Sequence, residues 1–369
     1  MGRQSSIVVA VALGAALCEP AQAEAIWLNA PLSTPIVQGQ WFLGAGVIGG
    51  VYRPPDWNSN VESNSGSVPL GPTKFSVSTG MLGPGGTIGY TFRDGMFPAW
   101  MGTNVRIALS GMKWDGDGSS SKSRHFAGTD RARITAIDGR VGFSNPVGGA
   151  GFNFDETLRQ EFDAFEIDLR LTSDRPIGPN LVLIPTVGVF GGSSREKYES
   201  DFIFSQPAFV TAPGFVHERV NSDRIGADLG LGLAWQATSY LRFGIAGRAG
   251  FHWVQSRLTA DDCWRNVALL TSCSLASGTF VAGSQFATTA SDRRSTVGFR
   301  GSATTGVTLD GGWIQAQLGG FFTFDSASPG VVNPTAGTAV TPTNVGPAHI
   351  RFASGYSAGG FFVVRIGLP

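Results

Sequence analysis

Between Leu241 and Trp253 the chain alternates with a period of two. Leu241, Phe243, Ile245, Ala249, Phe251 and Trp253 fall on odd positions, while Arg242, Arg248, His252 and Ser256 fall on even ones. Successive side chains of an extended strand point to opposite faces, so one face here is apolar and the other polar. A helix needs apolar spacings of three and four, which would mix the two sets, and the glycines at 244, 247 and 250 weaken it further. The same alternation recurs along the chain and predicts strands at about 40–53, 86–93, 102–114, 160–171, 181–198, 222–236, 238–258, 295–309, 312–324 and 349–366. Phe165, Ile167, Leu169 and Leu171 thus oppose Glu166, Asp168 and Arg170, and Ile225, Leu229, Leu231, Leu233 and Trp235 oppose Arg224, Asp228 and Gln236. Ile350, Phe352, Tyr356, Phe362 and Val364 form the apolar face of the last strand, and Val105, Ile107 and Leu109 oppose Arg106. The 86–93 strand is the weakest, and Pro84 before it argues for a bulge or a late start.

Such a sheet can set its apolar face on a soluble core and its charged face in water, or it can face lipid with the one and a lumen with the other. The connections favour the second. They alternate between short ("DGMFPA", "SDRPIGPN", "ATS", "DG") and long (near 55–80, 115–156, 199–219, 259–293 and 326–348). Long loops on one side and tight turns on the other suit a transmembrane antiparallel up-and-down β-barrel of about ten strands, with both termini on the short-turn side. Closure leaves no edge strand and satisfies every backbone group within lipid. Trp41, Trp100, Trp235 and Tyr240 fall near the short turns, and Trp114 and Trp253 near the long loops, as two interfacial girdles would. Twelve strands result if "RITAIDGRVGF" (133–143) crosses the membrane. Its strands are short and poorly apolar, and we read it as a hairpin within the second long loop.

The N-terminus agrees. Arg3, the apolar run "IVVAVALGAAL" and "AQA" at 21–23 read as a secretory signal peptide cleaved after Ala23, leaving 24–369 as a single barrel domain. The run is too short to span a bilayer as a helix. The 27 basic and 27 acidic residues balance, which speaks against nucleic acid as a partner and against electrostatic capture of acidic lipid. Outside the leader two cysteines remain, Cys263 and Cys273. With no CxxC or nearby His pair a metal site is not indicated, and in an exported chain the pair reads as a disulfide stapling one local loop, with two free thiols as the alternative.

On its leader, its alternation and its loop asymmetry, the chain resembles the bacterial outer-membrane β-barrel superfamily, of the small porin-like or OmpA-like type. The resemblance implies residence in the outer membrane, with its lipid and lipopolysaccharide and the barrel-assembly machinery as partners. Such proteins commonly end in an aromatic residue read during assembly, whereas this chain ends "GGFFVVRIGLP".

Turn chemistry gives registers. Asp310-Gly311 suits a two-residue type I′ hairpin, which would set Val307 against Ile314 and Ala303 against Leu318. A three-residue loop Ala237-Thr238-Ser239 would set Asp228 directly opposite Arg248 as an ion pair, and Arg224 opposite His252, whereas a five-residue loop would shift both by one pair. The lumen-facing charges expected from the alternation are Arg106, Glu166, Asp168, Arg170, Arg224, Asp228, Arg242, Arg248, His252 and Arg300, with Asp228, Glu166 and Asp168 as partners for the basic groups of the 238–258 strand.

Barrels of about eight strands are filled by side chains, whereas 16–18 leave an aqueous channel. Ten strands with mixed-sign inward charges therefore imply a cross-linked interior with at most a narrow path. The expected function is structural or surface-binding, with recognition in the long loops or passage of small solutes. The alternative is an outer-membrane hydrolase of protease or lipid A-modifying type, with His125, His217, His252 and Ser256 as its candidate residues. No nucleophile motif surrounds them, no glycine cluster enters a helix as a phosphate loop must, and no cofactor is expected.

Overall fold

The computed structural model describes residues 39–368 apart from 66–67, 127–129, 147–151, 207–208, 266–279, 282–284 and 336–344. The leader and its cleavage point after Ala23 lie outside the described residues, as does Cys273. The strands in chain order are β1 (Gln40–Arg53), β2 (Trp57–Ser65), β3 (Val68–Phe75), β4 (Thr79–Thr91), β5 (Thr103–Phe126), β6 (Asp130–Thr135), β7 (Val141–Pro146), β8 (Phe152–Pro176), β9 (Leu181–Gln206), β10 (Phe209–Gln236), β11 (Leu241–Arg265), β12 (Phe280–Val281), β13 (Gln285–Asp310), β14 (Ile314–Val332) and β15 (His349–Gly367). Ten of these close a ring. β11, β10, β9, β8, β5, β4, β1, β15, β14 and β13 pair in that order, and β13 returns to β11. Every pairing in the ring is antiparallel. β2, β3, β6 and β7 form a separate four-stranded sheet within the first two long connections, and the 133–143 segment lies in it as the β6–β7 hairpin.

The alternation explains the ring. Leu229, Leu231, Phe243, Ile245, Phe251, Val297, Leu318 and Phe362 all stand on its outer surface and are exposed. The residues that alternate with them along the same strands, such as Asp228, Arg248, His252 and Arg300, point inward and are buried. An inverted pattern of this kind, apolar outside and ionic inside, is what a bilayer demands of a barrel. Trp41, Trp100, Trp235, Tyr240 and Trp313 ring the short-turn end of this belt, with Trp253 and Tyr356 at the other. Trp114 does not join them. It stands on the inward parity of β5 and is buried. Among the described residues no helix is long and apolar enough to cross a membrane.

Three sequence expectations change. Six strands run far past the belt: β10 has 28 residues and β9 and β13 have 26 each. Roughly ten residues suffice to cross, so much of the supposed long loops 115–156, 199–219 and 259–293 is strand. Above the belt the polarity reverses. Leu158, Tyr198, Phe202, Val216, Val220 and Leu258 point inward and are buried, and residues such as Arg195, Arg219 and Arg257 point outward. The tall strands β5, β8, β9, β10, β11 and β13 thus make an apolar-lined half-shell, into which Trp57, Val61, Phe75, Ile134 and Ile137 of the small sheet and its turn pack as a cap. Ile350, expected on the lipid face, belongs to this core instead and is fully buried.

Both hairpin registers also move. At β13–β14, Asp310 pairs with Gln315 and Val307 with Leu318, not Ile314. The Asp310 carboxylate accepts from Gly312 N at 3.0 Å, and Gly312 takes the positive φ of 86°, so the loop holds four residues rather than two. At β10–β11, Gln236 pairs with Arg242, leaving a five-residue loop in which Thr238 Oγ1 accepts from Leu241 N at 3.1 Å. Asp228 then faces Gly250 and Gly230 faces Arg248. Each shift preserves parity, so no side chain changes face.

Candidate functional site: the lumen and its cap

All ten charged residues expected in the lumen point inward. Asp228 and Arg248, one rung apart, still approach, with Arg248 Nη1 3.7 Å from Asp228 Oδ2 and 3.8 Å from Asp168 Oδ2. The close partner of Asp228 is Arg170, whose Nη1 and Nη2 donate to its two oxygens at 3.0 Å each while Nε donates to Asp168. Glycines make this possible. Gly188 stands directly opposite both Arg170 and Asp228, and a Cβ there would sit 3.1 Å from Arg170 Cγ and 3.3 Å from Asp228 Oδ1. Arg300 on β13 reaches across the lumen to β8 and donates to both oxygens of Glu166 at 2.9 and 3.0 Å, with its guanidinium 4.4 Å from the Phe190 ring centre. Such two-point contacts fix geometry as well as charge.

The other basic groups find carboxylates absent from the expected set. Arg224 Nη1 lies 2.9 Å and His252 Nε2 3.3 Å from opposite oxygens of Asp325, so these two side chains meet there rather than across one rung. Arg242 pairs with Asp310 at 3.3 Å, and Arg106 with Asp174. Asp174 and Asp325 lie beyond the strand ends drawn from the sequence, and Asp310 had been assigned to a turn. Arg365, which the alternation of the last strand sets on its polar face, is buried on the inward parity of β15.

Just above this layer, toward the cap, is a small cavity. Tyr52, Met81, Trp114 and Phe162 line one side, and Arg224 and Asp325 the other. Tyr52 spans the lumen to donate to Glu196 Oε1 at 3.1 Å.

The cap is held to the wall by buried carboxyl groups. Glu156 on β8 accepts from Ser59 at 2.9 Å and Ser200 at 2.7 Å. Glu218 on β10 accepts from Trp57 Nε1 at 2.6 Å, and Asp262 on β11 accepts from Ile137 N at 2.9 Å. Desolvation raises the Glu218 carboxyl to about 8 and those of Glu156, Glu196 and Asp262 to about 7. Geometry agrees for two of them. Glu156 Oε2 and Glu218 Oε1 are buried without a hydrogen-bond acceptor's usual donor, as is the neighbouring Asn333 Oδ1.

The candidate hydrolytic residues are not brought together. His125, on β5, bonds Asn153 at 2.8 Å. His217 faces outward on β10, 3.5 Å from Asp261 and stacked on Phe215, and its hydrogen bond to Asp261 raises its pKa. His252 is deep in the lumen, and Ser256 shares a 2.7 Å bond with Ser222. Among the described residues no histidine bonds a hydroxyl or thiol, and no group of ligands could hold a metal. Cys263 is buried at the end of β11, while its expected partner lies outside the described residues.

No family model matches the chain, and no curated relative matches it. Solved structures similar to it include the outer membrane protease OmpT from Escherichia coli (9% identity, 89% of this chain and 97% of that one, TM-score 0.35). A FadL homologue from Pseudomonas aeruginosa (7%, 95% and 98%, 0.23) and the translocator domain of the autotransporter NalP from Neisseria meningitidis (12%, 98% and 96%, 0.22) are others. The chain has the fold of an outer-membrane β-barrel. That statement rests on its closed ring and lipid-type belt, since likenesses this low carry no activity with them.

Proposed function

We propose that this protein resides in the bacterial outer membrane as a surface barrel with a binding role in its capped extracellular half, and that its lumen is closed to ions at rest. Partners on this reading are outer-membrane lipid, lipopolysaccharide and the barrel-assembly machinery. One observation carries it: Arg300 and Glu166 bridge the lumen within the belt, beneath a folded apolar cap. An open porin needs neither. The cavity between these two barriers is the place for a small solute, should one pass. Planar-bilayer recording of the purified protein tests the reading. We expect no steady conductance from the wild type and measurable conductance once Arg300 and Glu166 are both replaced by Ala. Porin-sized currents from the wild type would overturn it. The hydrolase alternative would have to centre on His217 and Asp261 at the outer surface, and turnover of peptide or ester substrates abolished by His217→Ala would establish it instead.

A further inference from the structure

The outer face of the tall wall carries a row of arginines just above the lipid belt. Arg195 on β9 pairs across the sheet with Asn221 on β10, Asn221 with Arg257 on β11, and Arg257 with Arg293 on β13. All four side chains point outward on one rung and are exposed. One rung higher, Arg219 stands beside them, paired across the sheet with Thr259. Like charges directly opposite on a sheet repel, yet Arg257 and Arg293 are set opposite each other. Among the described residues no carboxylate comes within ion-pair distance of Arg195, Arg219, Arg257 or Arg293. The neighbouring Lys197 is already held by Glu161. Asp163 on β8 stands directly opposite Arg195, at the end of the row, and is shared with Lys113 at 3.9 Å, while Asp223 lies one rung below, opposite Gln255, so the uncompensated charge centres on Arg219, Arg257 and Arg293. Gln255 orients one member of the row, since its side-chain oxygen, with the amide turned to suit both groups, accepts from Arg293 Nε at 2.7 Å.

Height identifies what such a row would meet. Trp253, at the top of the belt, is four residues below Arg257 on the same strand. At about 3.3 Å per residue and a tilt near 40°, the row lies roughly 10 Å above it. The polar headgroup zone extends roughly 5–8 Å beyond the hydrocarbon, and long arginine side chains reach down toward it. Guanidinium groups match phosphate oxygens two at a time.

We propose that Arg195, Arg219, Arg257 and Arg293 form a binding site for the phosphate-bearing headgroup of a lipid in the outer leaflet. The proposal rests on the belt lying in a bilayer, and the test separates the two. The full chain is reconstituted into phosphatidylcholine vesicles containing about one-tenth phosphatidic acid, and into phosphatidylcholine alone. Native mass spectrometry after detergent extraction then reads which lipid stays bound. Quenching of tryptophan fluorescence by lipid brominated in the acyl chain, compared with Trp253→Phe, reports insertion. We expect preferential retention of phosphatidic acid, reduced roughly tenfold in Arg257→Gln/Arg293→Gln and less in Arg257→Lys/Arg293→Lys, which keeps the charge but loses the two-point contact. Equal retention by the Gln variant, or no preference in the wild type despite quenching at Trp253, overturns the site. Competition by millimolar inorganic phosphate also overturns it, in favour of a soluble anion. Absence of quenching at Trp253 overturns the membrane reading itself.

Discussion

Raising the pH should loosen the cap while leaving the ring intact. The carboxyl of Glu218 is raised from 4.5 to about 8 by desolvation, with the Asp262 charge raising it further against the bonds from Trp57 and Asn333. In the released cap the same group would be solvated, near its ordinary value. A proton is therefore held more tightly in the closed form. The stabilisation is fully present below about pH 4.5 and is lost as the pH rises to about 8. A shift of this size is worth about 5 kcal/mol at 1.36 kcal/mol per unit. Glu156 and Asp262, both raised to about 7, contribute about 3–4 kcal/mol each on the same scale, and the three do not add simply because Asp262 and Glu218 repel. Even one such term is a large fraction of the stability of a small sheet. The assay is hydrogen–deuterium exchange of a peptide spanning residues 57–65, corrected for intrinsic rates, at pH 5 and pH 9. We expect strong protection at pH 5 and much faster exchange at pH 9, with barrel peptides such as 225–235 unchanged. Glu156→Gln/Glu218→Gln/Asp262→Asn, which keeps neutral groups in place of the acids, should keep the cap protected at both. Equal protection of the wild type at pH 5 and pH 9, or a triple variant as pH-sensitive as the wild type, would refute the reasoning.

Arg300→Met removes the bidentate guanidinium from the buried Glu166 and should cost about 3–5 kcal/mol. Arg300→Met/Glu166→Leu should recover most of it, read as the temperature at which the folded barrel loses its compact electrophoretic mobility. Gly50→Val should block closure of the ring between β1 and β15, because a Cβ at Gly50 would lie 2.3 Å from the carbonyl oxygen of Ala358. The measurement is the folded fraction after refolding into detergent, and a yield equal to wild type would show that the seam can open without loss.

The ring was legible because a bilayer imposes one rule on every strand that crosses it. Leu229, Phe243 and Val297 could be placed outside, and Asp228, Arg248 and Arg300 inside, from parity alone, and parity survived two misjudged turns. Thr238 and Asp310 each bond their own loop through a side-chain oxygen, which lengthens the turn by two residues and slides the strands without turning them over. What escaped was everything governed by water instead of lipid. On β11 the apolar residues move from odd to even positions after Trp253, to Val254, Leu258, Ala260 and Trp264, because there the hydrophobic side must face in. A search for one continuous phase ends the strand at that switch and assigns the remainder to a loop. Trp114 was misplaced for the same reason, since a tryptophan near a strand end suits an interface or a cap core equally well, and only the inward parity of its neighbours Met112 and Ser110 decides. The carboxyls that fasten the cap were hidden more deeply. Glu156, Glu218 and Asp262 read as surface charges in the segments assigned to loops, and they become interior groups only once the phase switch turns their parity inward. A change of phase within one unbroken alternation is thus itself a signal. It marks the height at which the strand leaves the membrane, and on this chain it separates a wall whose inside is ionic from one whose inside is oily.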